Sequence, residues 1–320
     1  MTAPLSRRDL LATTGLACGA ALAGSLPQSA SAAEPARTKD KPFGYCLNTA
    51  TIRGQDVGIV REVEIAAAAG YDAIEPWMDT LDKYVKGGGS LKDLGKKIRD
   101  LGLTVESAIG FAQWIVDDNA AREKGLEQAR RDMETLVAIG GKRIAAPPSG
   151  ATDKDKPSPD LKSAAARYLK LLELGDQIGI VPEAEVWGFS KTLSRLSETV
   201  YVAVESGHPK ACVLPDVYHL HKGGSGFEGL KLLSGVAVQM FHINDYPADP
   251  PRETINDSHR VYPGDGIAPL PEILRDLRLA GFQGFLSLEL FNRDYWKQDP
   301  LAVAKTGLEK MKSTVARSLA

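Results

Sequence analysis

One pattern recurs along most of the chain and limits the folds that it can adopt. A short apolar segment is followed by an amphipathic segment of helical period, and then by another short apolar segment. We predict eight strands, at 43–48, 71–75, 103–108, 143–146, 181–186, 211–216, 236–243 and 284–290. Strict alternation of strands and helices indicates a parallel sheet. Eight units favour an α/β fold that is a closed (β/α)8 TIM barrel, in a single domain, over an open sheet.

The predicted helices lie between these strands and after the last one. They are expected at 57–69, 93–101, 123–139, 161–178, 193–206, 271–280 and 300–315. Several of them end in a glycine, which suits the left-handed conformation that closes a helix. The segment after residue 216 is expected to be a loop. An open dinucleotide-binding sheet would need a glycine-rich turn after its first strand, whereas residues 48–53 read NTATIR.

The first 33 residues are expected to be an export signal and not part of the fold. The sequence SRRDLL at 6–11 leads into an apolar run that ends at residue 26, and ASA at 30–32 supplies a cleavage site. This is the arrangement of a twin-arginine signal. We therefore predict a signal at 1–33, a linker at 34–42 and a barrel at 43–320, with a periplasmic or extracytoplasmic location and no membrane association after signal removal. A permanent N-terminal anchor, or a lipid on Cys18, is the alternative.

Charge and cysteine content narrow the classes of partner. The 320 residues carry a net charge of −2 at pH 7, and no basic run is interleaved with aromatic residues, so a nucleic-acid partner is not expected. The three cysteines do not form a disulfide framework, and Cys46 and Cys212 lie in predicted strands as small buried residues. We expect a small-molecule partner, and the sequence leaves open whether the chain forms a homo-oligomer.

Four of the last strands end in a residue type that binds metal ions. These residues are Glu185, Asp216, His242 and Glu289. The C-terminal ends of neighbouring barrel strands meet at one mouth, so the four side chains are expected to converge. Three carboxylates and one imidazole suit one divalent ion, such as Mn²⁺, Zn²⁺, Co²⁺ or Mg²⁺. Taken singly, each has a plainer explanation, since a strand-end glutamate often caps a helix and a lone histidine among apolar residues is usually a core residue.

Other residues near strand ends are candidates for contact with a small-molecule substrate. Six are predicted to bind it: His219, Lys191, Arg260, Glu75, Trp77 and Trp114. The polar groups would bond hydroxyls, and the two indoles would form an apolar wall against a sugar ring. The alternative for the lysine is a solvated side chain, and for the indoles it is loop packing. Glu183 and Glu185 are expected to face different layers, one the barrel interior and the other the helices.

Several short motifs resemble those of one family. They are LNTAT at 47–51, AGYDAIE at 69–75, MDTLDKY at 78–84, DVYH at 216–219, HIND at 242–245, RVYPGDG at 260–266 and SLELF at 287–291. On these motifs the chain resembles the xylose-isomerase-like TIM-barrel superfamily of sugar isomerases and epimerases, and within it the 2-keto-myo-inositol (inosose) isomerases. The resemblance implies that the four strand-end residues bind the metal and that His219 contacts substrate.

The activity implied is isomerisation or epimerisation of a sugar or cyclic polyol, an inosose or a related keto-sugar, through an enediolate. The metal would act as a Lewis acid, and Glu185 and Glu289 are expected to be the catalytic residues that remove and return protons. No phosphate-binding loop is evident, so an unphosphorylated substrate is expected. Two alternatives stay open: an exported lyase or hydrolase acting on 3-keto-sugars, and a non-catalytic sugar-binding barrel.

Overall fold

Short parallel strands alternate with helices throughout residues 41–320, which are the residues that the computed structural model describes. The strands are β1 (Gly44–Asn48), β2 (Ala73–Glu75), β3 (Thr104–Val105), β4 (Arg143–Ala146), β5 (Val181–Glu185), β6 (Val213–Leu214), β7 (Met240–Ile243) and β8 (Phe285–Leu288). All eight lie within or match the predicted strands. The predicted signal and most of the predicted linker fall outside the described residues, so both stay predictions.

The α-helices of the described residues cover the outside of the strands. They are α1 (Ile59–Ala69), α2 (Met78–Lys86), α3 (Leu91–Asp100), α4 (Asn119–Ile139), α5 (Leu161–Ile178), α6 (Leu196–Glu205), α7 (Val217–Lys222), α8 (Leu270–Leu279) and α9 (Pro300–Leu319). Within residues 41–320, no helix is both long enough and apolar enough to cross a bilayer.

The barrel is built from two parallel sheets that meet at two seams. One sheet has the strand order β3-β2-β1-β8-β7, and the other has the order β4-β5-β6. Single bridges close the ring: Ile109 pairs with Ala145 at one seam, and Asp216 pairs with His242 at the other. The predicted closed (β/α)8 barrel is therefore confirmed.

Side-chain alternation along the strands sorts the interior into layers. One apolar layer combines small and large residues, namely Cys46, Ala73, Ile109, Ala145, Leu214, Met240 and Phe285. Two positions further along four of these strands, on the same face, stand Asn48, Glu75, Asp216 and His242, each fully buried. The strands therefore carry an apolar floor and, above it, a polar layer at the mouth.

Local sequence explains where several helices begin and end. Gly70 and Gly140 close α1 and α4 with φ angles of 93° and 85°, a conformation that costs other residues energy. Asp118 and Asp160 begin α4 and α5 by accepting a hydrogen bond from a backbone N–H in the first turn. Short helices were harder to predict: α2 and α7, of nine and six residues, were not expected from the sequence.

Candidate metal centre

The C-terminal ends of β5 to β8 bring the four predicted metal ligands to one point at the mouth. Around Nδ1 of His242 lie Glu289 Oε2 at 3.3 Å, Asp216 Oδ2 at 3.7 Å and Glu185 Oε1 at 3.8 Å. All four side chains are buried. Ligand atoms of Glu185, His242 and Glu289 lie within 4.8 Å of one another, which is close enough for one ion.

Asp216 has a second task at this point, because it begins helix α7. Its Oδ1 accepts a hydrogen bond from the backbone N–H of His219 at 2.8 Å. Its Oδ2 faces the cluster and accepts hydrogen bonds from Asn244 Nδ2 at 2.9 Å and Arg260 Nη1 at 2.8 Å. The segment after residue 216, which was predicted to be a loop, is helical because this carboxylate caps it.

Glu75 fixes the orientation of the His242 ring. Its Oε2 lies 3.1 Å from His242 Nε2 and also accepts hydrogen bonds from Asn48 Nδ2 at 2.9 Å and Ser287 Oγ at 2.6 Å. A carboxylate that accepts from Nε2–H leaves Nδ1 pointing to the other three ligands. Hydrogen bonds of this kind hold metal-binding histidines in one tautomer. The structure places Glu75, which was predicted to bind substrate, fully buried beside His242 and not among the residues that line the pocket.

The charges around His242 favour a proton or a cation at this point. Burial lowers the pKa of the imidazole, but the carboxylates of Glu289 and Glu75 outweigh burial and raise that pKa well above 6.5. These carboxylates therefore favour a positive charge at His242. A divalent cation would displace a proton from this ring, as metal binding to histidine generally does.

The two glutamates of the cluster have opposite proton affinities. Burial raises the pKa of Glu185 well above its usual value, and the nearby carboxylates of Glu289 and Asp216 raise it further. Burial also raises the pKa of Glu289, but the positive charges of His242 and Arg260 outweigh it and lower that pKa below 4.5. In the absence of a metal ion, Glu289 is the ionised carboxylate of the pair.

Two unpaired atoms support a fit to a metal ion. His242 Nδ1 and Glu185 Oε2 are buried and have no hydrogen-bond partner among the described residues. Buried polar atoms are nearly always paired, so these two are suited to an added ligand. An oxygen-rich donor set with one imidazole nitrogen fits Mn²⁺, Zn²⁺, Co²⁺ or Mg²⁺ and does not select among them.

Arg260 holds the far side of the cluster. Its Nη1 donates to Asp216 Oδ2 at 2.8 Å and to Glu289 Oε2 at 3.0 Å, and its Nη2 donates to His219 Nε2 at 3.1 Å and Asp257 Oδ1 at 2.6 Å. Only a guanidinium, with its fork of several N–H groups, can bond all four partners at once. Arg260 therefore fixes two of the four predicted ligands and also His219.

The loop that carries Arg260 is anchored by Asp245. Its carboxylate accepts backbone hydrogen bonds from Gly264, Gly266 and Ala268 at 2.9 to 3.1 Å. At Gly266 a side chain would have to start 2.3 Å from the carboxylate, so glycine is required there. The RVYPGDG motif is thus a loop whose conformation places Arg260 in the cluster.

His219 is a neutral imidazole beside the cluster. Burial lowers its pKa to about 3, so the ring is neutral at physiological pH. Because Nε2 accepts from Arg260, the ring proton sits on Nδ1, which has no partner within residues 41–320. His219 lies beside the pocket, where a substrate oxygen could accept this proton.

A cavity of about 230 Å³ opens directly above the cluster. The polar residues that line it are Glu185, His219, Asp257, Arg260 and Glu289, and the apolar ones are Trp77, Ile109, Phe111, Trp187, Phe189 and Phe291. Of the residues predicted to bind substrate, the structure places His219, Arg260 and Trp77 here. The sequence reading missed most of the aromatic residues, although all of them follow strand ends.

Two residues predicted to bind substrate lie elsewhere. Lys191 is exposed and does not line the cavity, and its Nζ donates to the backbone oxygens of Lys154 and Lys156 at 3.2 and 2.7 Å. Trp114 is buried behind the barrel wall, where its Nε1 donates to the Pro147 carbonyl and its ring packs on Tyr168. The structure thus places Lys191 in a surface loop and Trp114 in the hydrophobic core, and neither lines the pocket.

Glu183 also differs from its prediction. It was expected to face a different layer from Glu185, but residues two apart on a strand share a face. Glu183 is fully buried, and its charge interacts with Arg143, Glu75 and His242 in the interior. Burial raises its pKa to about 8, so it is mostly neutral at pH 7.

Comparison with known proteins adds independent information. Residues 63–314 match the model of the xylose isomerase-like TIM barrel family. The chain is 27% identical over 275 residues to an inosose isomerase of Bacillus velezensis, with 85% of this chain and 97% of that protein covered. It is 28% identical over 262 residues to an inosose isomerase of Bacillus subtilis, with 79% and 90% covered. The fold also resembles a crystal structure of the IOLI protein with a bound zinc atom, with a TM-score of 0.80 and 24% identity over 86% of this chain and 98% of that one.

Proposed function

Because the chain belongs to the xylose isomerase-like TIM barrel family, we propose that it is a divalent-metal-dependent isomerase or epimerase of a sugar or cyclic polyol, namely an inosose or a related keto-sugar. The observation that carries the proposal is the convergence of Glu185, His242 and Glu289, with Asp216, beneath an open pocket. The relatives named inosose isomerase support the reaction class and the substrate class.

The metal ion would be held by the four converging side chains. When bound there it would supply Lewis-acid chemistry, polarising a substrate carbonyl and acidifying the neighbouring C–H. Arg260 keeps Asp216 and Glu289 in place for this role, and Glu75 does the same for His242. Each of these supporting contacts is buried, so the geometry is set before substrate arrives.

Proton transfer would be performed by Glu289 and Glu185. Glu289 is ionised and lines the pocket, so it is the candidate to take a proton from carbon. Glu185 lines the same pocket, so it is the candidate to return one. A single carboxylate that does both transfers would move the carbonyl between adjacent carbons, whereas one carboxylate on each face would invert a centre. His219 would donate its Nδ1 proton to a substrate oxygen and orient it.

One experiment tests the activity. The metal-loaded protein is incubated with inososes, ketoses and keto-glycosides in deuterated water, and exchange at carbon is followed by NMR. We expect exchange and product with at least one ketol, loss of both after chelation, and recovery on adding Mn²⁺, Zn²⁺ or Co²⁺. Glu289→Gln should abolish turnover while substrate still binds. Absence of exchange with every ketol would refute the proposal, and release of a substituent in place of isomerisation would reassign the protein to lyase chemistry.

The location of the protein is a separate proposal. We propose export by the twin-arginine route, on the strength of the SRRDLL and ASA sequences within residues 1–33. Replacing Arg7 and Arg8 together with lysine should retain the protein in the cytoplasm, as measured by cell fractionation. The same export with both arginines replaced would contradict the proposal.

A further inference from the structure

Five aromatic side chains form a continuous rim around the outer part of the pocket. Ring centroids are 5.8 Å apart for Phe291 and Trp77, 5.2 Å for Trp77 and Phe111, 6.0 Å for Phe111 and Trp187, and 5.0 Å for Trp187 and Phe189. The rings come from the loops after β2, β3, β5 and β8, so the fold gathers them from distant parts of the chain. We call these five residues the aromatic rim.

The aromatic rim is not part of the protein core. None of its five side chains is buried, and Phe111 is 36% exposed. Aromatic rings that remain open to water, grouped at one pocket, mark a surface that a ligand covers. Their separations also lie within the range over which aromatic rings attract one another, so a further planar ring could add to the series.

Four of the five polar residues that line the pocket are buried, namely Glu185, His219, Arg260 and Glu289. The fifth, Asp257, is partly exposed, and its Oδ1 accepts a hydrogen bond from Arg260 Nη2 at 2.6 Å. Glu185 and Glu289 belong to the metal cluster, and both terminal nitrogens of Arg260 are bonded to protein partners. His219 Nδ1 remains as a donor for a substrate oxygen. At the rim, the Trp77 indole N–H is already bonded to Asn48 Oδ1 at 3.0 Å. The buried polar residues therefore suit a ketol, and the rim offers ring surface with few hydrogen-bonding groups.

From this division we infer that the substrate is a keto-sugar that carries an aryl or similarly flat apolar substituent, which the aromatic rim binds. The inference rests on the proposed function, because the ketol end is assigned to the metal cluster. An unsubstituted cyclic polyol carries hydroxyls on every side of its ring. The hydroxyls next to the aromatic rim would face aromatic carbon and would lose their hydrogen bonds to water. A flat apolar group would instead cover exposed rings and lose no hydrogen bond.

Matched substrates test the inference. Methyl and phenyl 3-keto-β-D-glucopyranoside share one ketol and differ only in the substituent, and their exchange in deuterated water gives kcat/KM for each. We expect the phenyl compound to be at least ten-fold better. Phe111→Ala and Trp187→Ala should lower kcat/KM for the phenyl compound about ten-fold and for the methyl compound less than three-fold. Tyr201→Ala removes a 40% exposed aromatic ring from α6 that does not line the pocket, and should change neither.

Direct binding separates this inference from the proposed function. Calorimetric titration of the metal-loaded protein with phenyl and methyl β-D-glucopyranoside, which lack the ketone, reports rim recognition without turnover. At least ten-fold tighter binding of the phenyl compound, lost in Trp187→Ala, would support the inference even if neither keto compound reacted. Equal affinities would overturn it, even if an inosose were isomerised. A kcat/KM for a 3-keto-disaccharide equal to that for the phenyl keto-glucoside would also overturn the inference, since the rim would then bind a second sugar.

Discussion

His242 and Glu75 form a fully buried pair in which Nε2 and Oε2 lie 3.1 Å apart, on the side of the ring away from the candidate metal site. The same carboxylate oxygen accepts hydrogen bonds from Asn48 and Ser287. Within the polar layer of the barrel, Glu75 therefore lies beside His242 and orients its ring toward the other predicted ligands.

The first prediction concerns Glu75. Glu75→Gln keeps the size of the side chain but removes the negative charge that holds the His242 ring, so the affinity for the metal ion should fall about 10- to 100-fold. Titration with Zn²⁺ against a competing chelator measures this. Glu64→Gln, which alters an exposed ion pair on α1, is the matched control and should leave the affinity unchanged. An unaltered affinity in Glu75→Gln would show that the ring is held by other contacts.

The second prediction concerns Arg260. In Arg260→Lys one ammonium replaces a fork that bonds Asp216, Glu289 and His219, so the cluster loses contacts on its far side. We expect kcat to fall by a factor of at least about 10 to 100, with the circular dichroism spectrum retained. Arg252→Lys, at an exposed arginine, is the control. Wild-type kcat in Arg260→Lys would mean that the bidentate geometry has no part in turnover.

The third prediction concerns pH and Glu62. This side chain is 3% exposed in the first turn of α1, and burial raises its pKa from 4.5 to about 7. Its Oε2 has no hydrogen-bond partner among residues 41–320. Because the pKa of Glu62 is higher in the folded than in the unfolded protein, the free energy of unfolding falls as pH rises from about 4.5 to 7. Glu62→Gln removes this pH-dependent loss. The free energy of unfolding of the variant should therefore exceed that of the wild type by up to about 3 kcal/mol at pH 8 and by much less at pH 5.

Urea unfolding at pH 5 and pH 8 measures the effect of Glu62→Gln. The exposed Glu64→Gln substitution should show no gain in stability that grows with pH. A difference between Glu62→Gln and the wild type that is the same at both pH values would mean that Glu62 is ionised in the folded protein throughout this range.

The fourth prediction separates two tryptophans. Trp114→Phe leaves the buried carbonyl of Pro147 without its donor, which should cost about 1–3 kcal/mol of unfolding free energy and leave kcat/KM unchanged. Trp77→Phe frees Asn48, which bonds both Glu75 and Glu289, and it also changes the pocket wall, so kcat/KM should fall. Thermal unfolding and steady-state kinetics on both variants test this. A fall in kcat/KM with Trp114→Phe would contradict this prediction and would mean that Trp114 contributes to turnover.

The sequence predicted correctly those parts of the site that the position of a residue relative to a strand end determines. Glu185, Asp216, His242 and Glu289 could be placed together because the C-terminal ends of parallel strands share one mouth. Trp114 could not be placed correctly, since a position after a strand does not tell whether a side chain turns to the pocket or to the helices. Glu183 was predicted wrongly because the period of two was misapplied, although the sequence contained the information needed.

Loops and short helices set the limit of prediction. Phe111, Trp187 and Phe291 follow strand ends, but loop conformation decides which way their rings turn, and loop conformation depends on contacts from distant segments. Helix α7 has only six residues, fewer than periodicity can reveal, and it forms because Asp216 caps it. The aromatic rim therefore became visible only in the structure.

One seam of the barrel would give a bound metal ion a mechanical role. Glu185 and Asp216 lie at the C-terminal edge of the three-stranded sheet, whereas His242 and Glu289 lie at the C-terminal edge of the five-stranded sheet. The seam between β6 and β7 therefore passes through the cluster. An ion bound to all four side chains would link the two sheets across the seam between β6 and β7, where the strands share few hydrogen bonds. Removing the ion would let the two sheets separate at this seam first. The candidate metal centre and the pairing of β6 with β7 would then lose their order together.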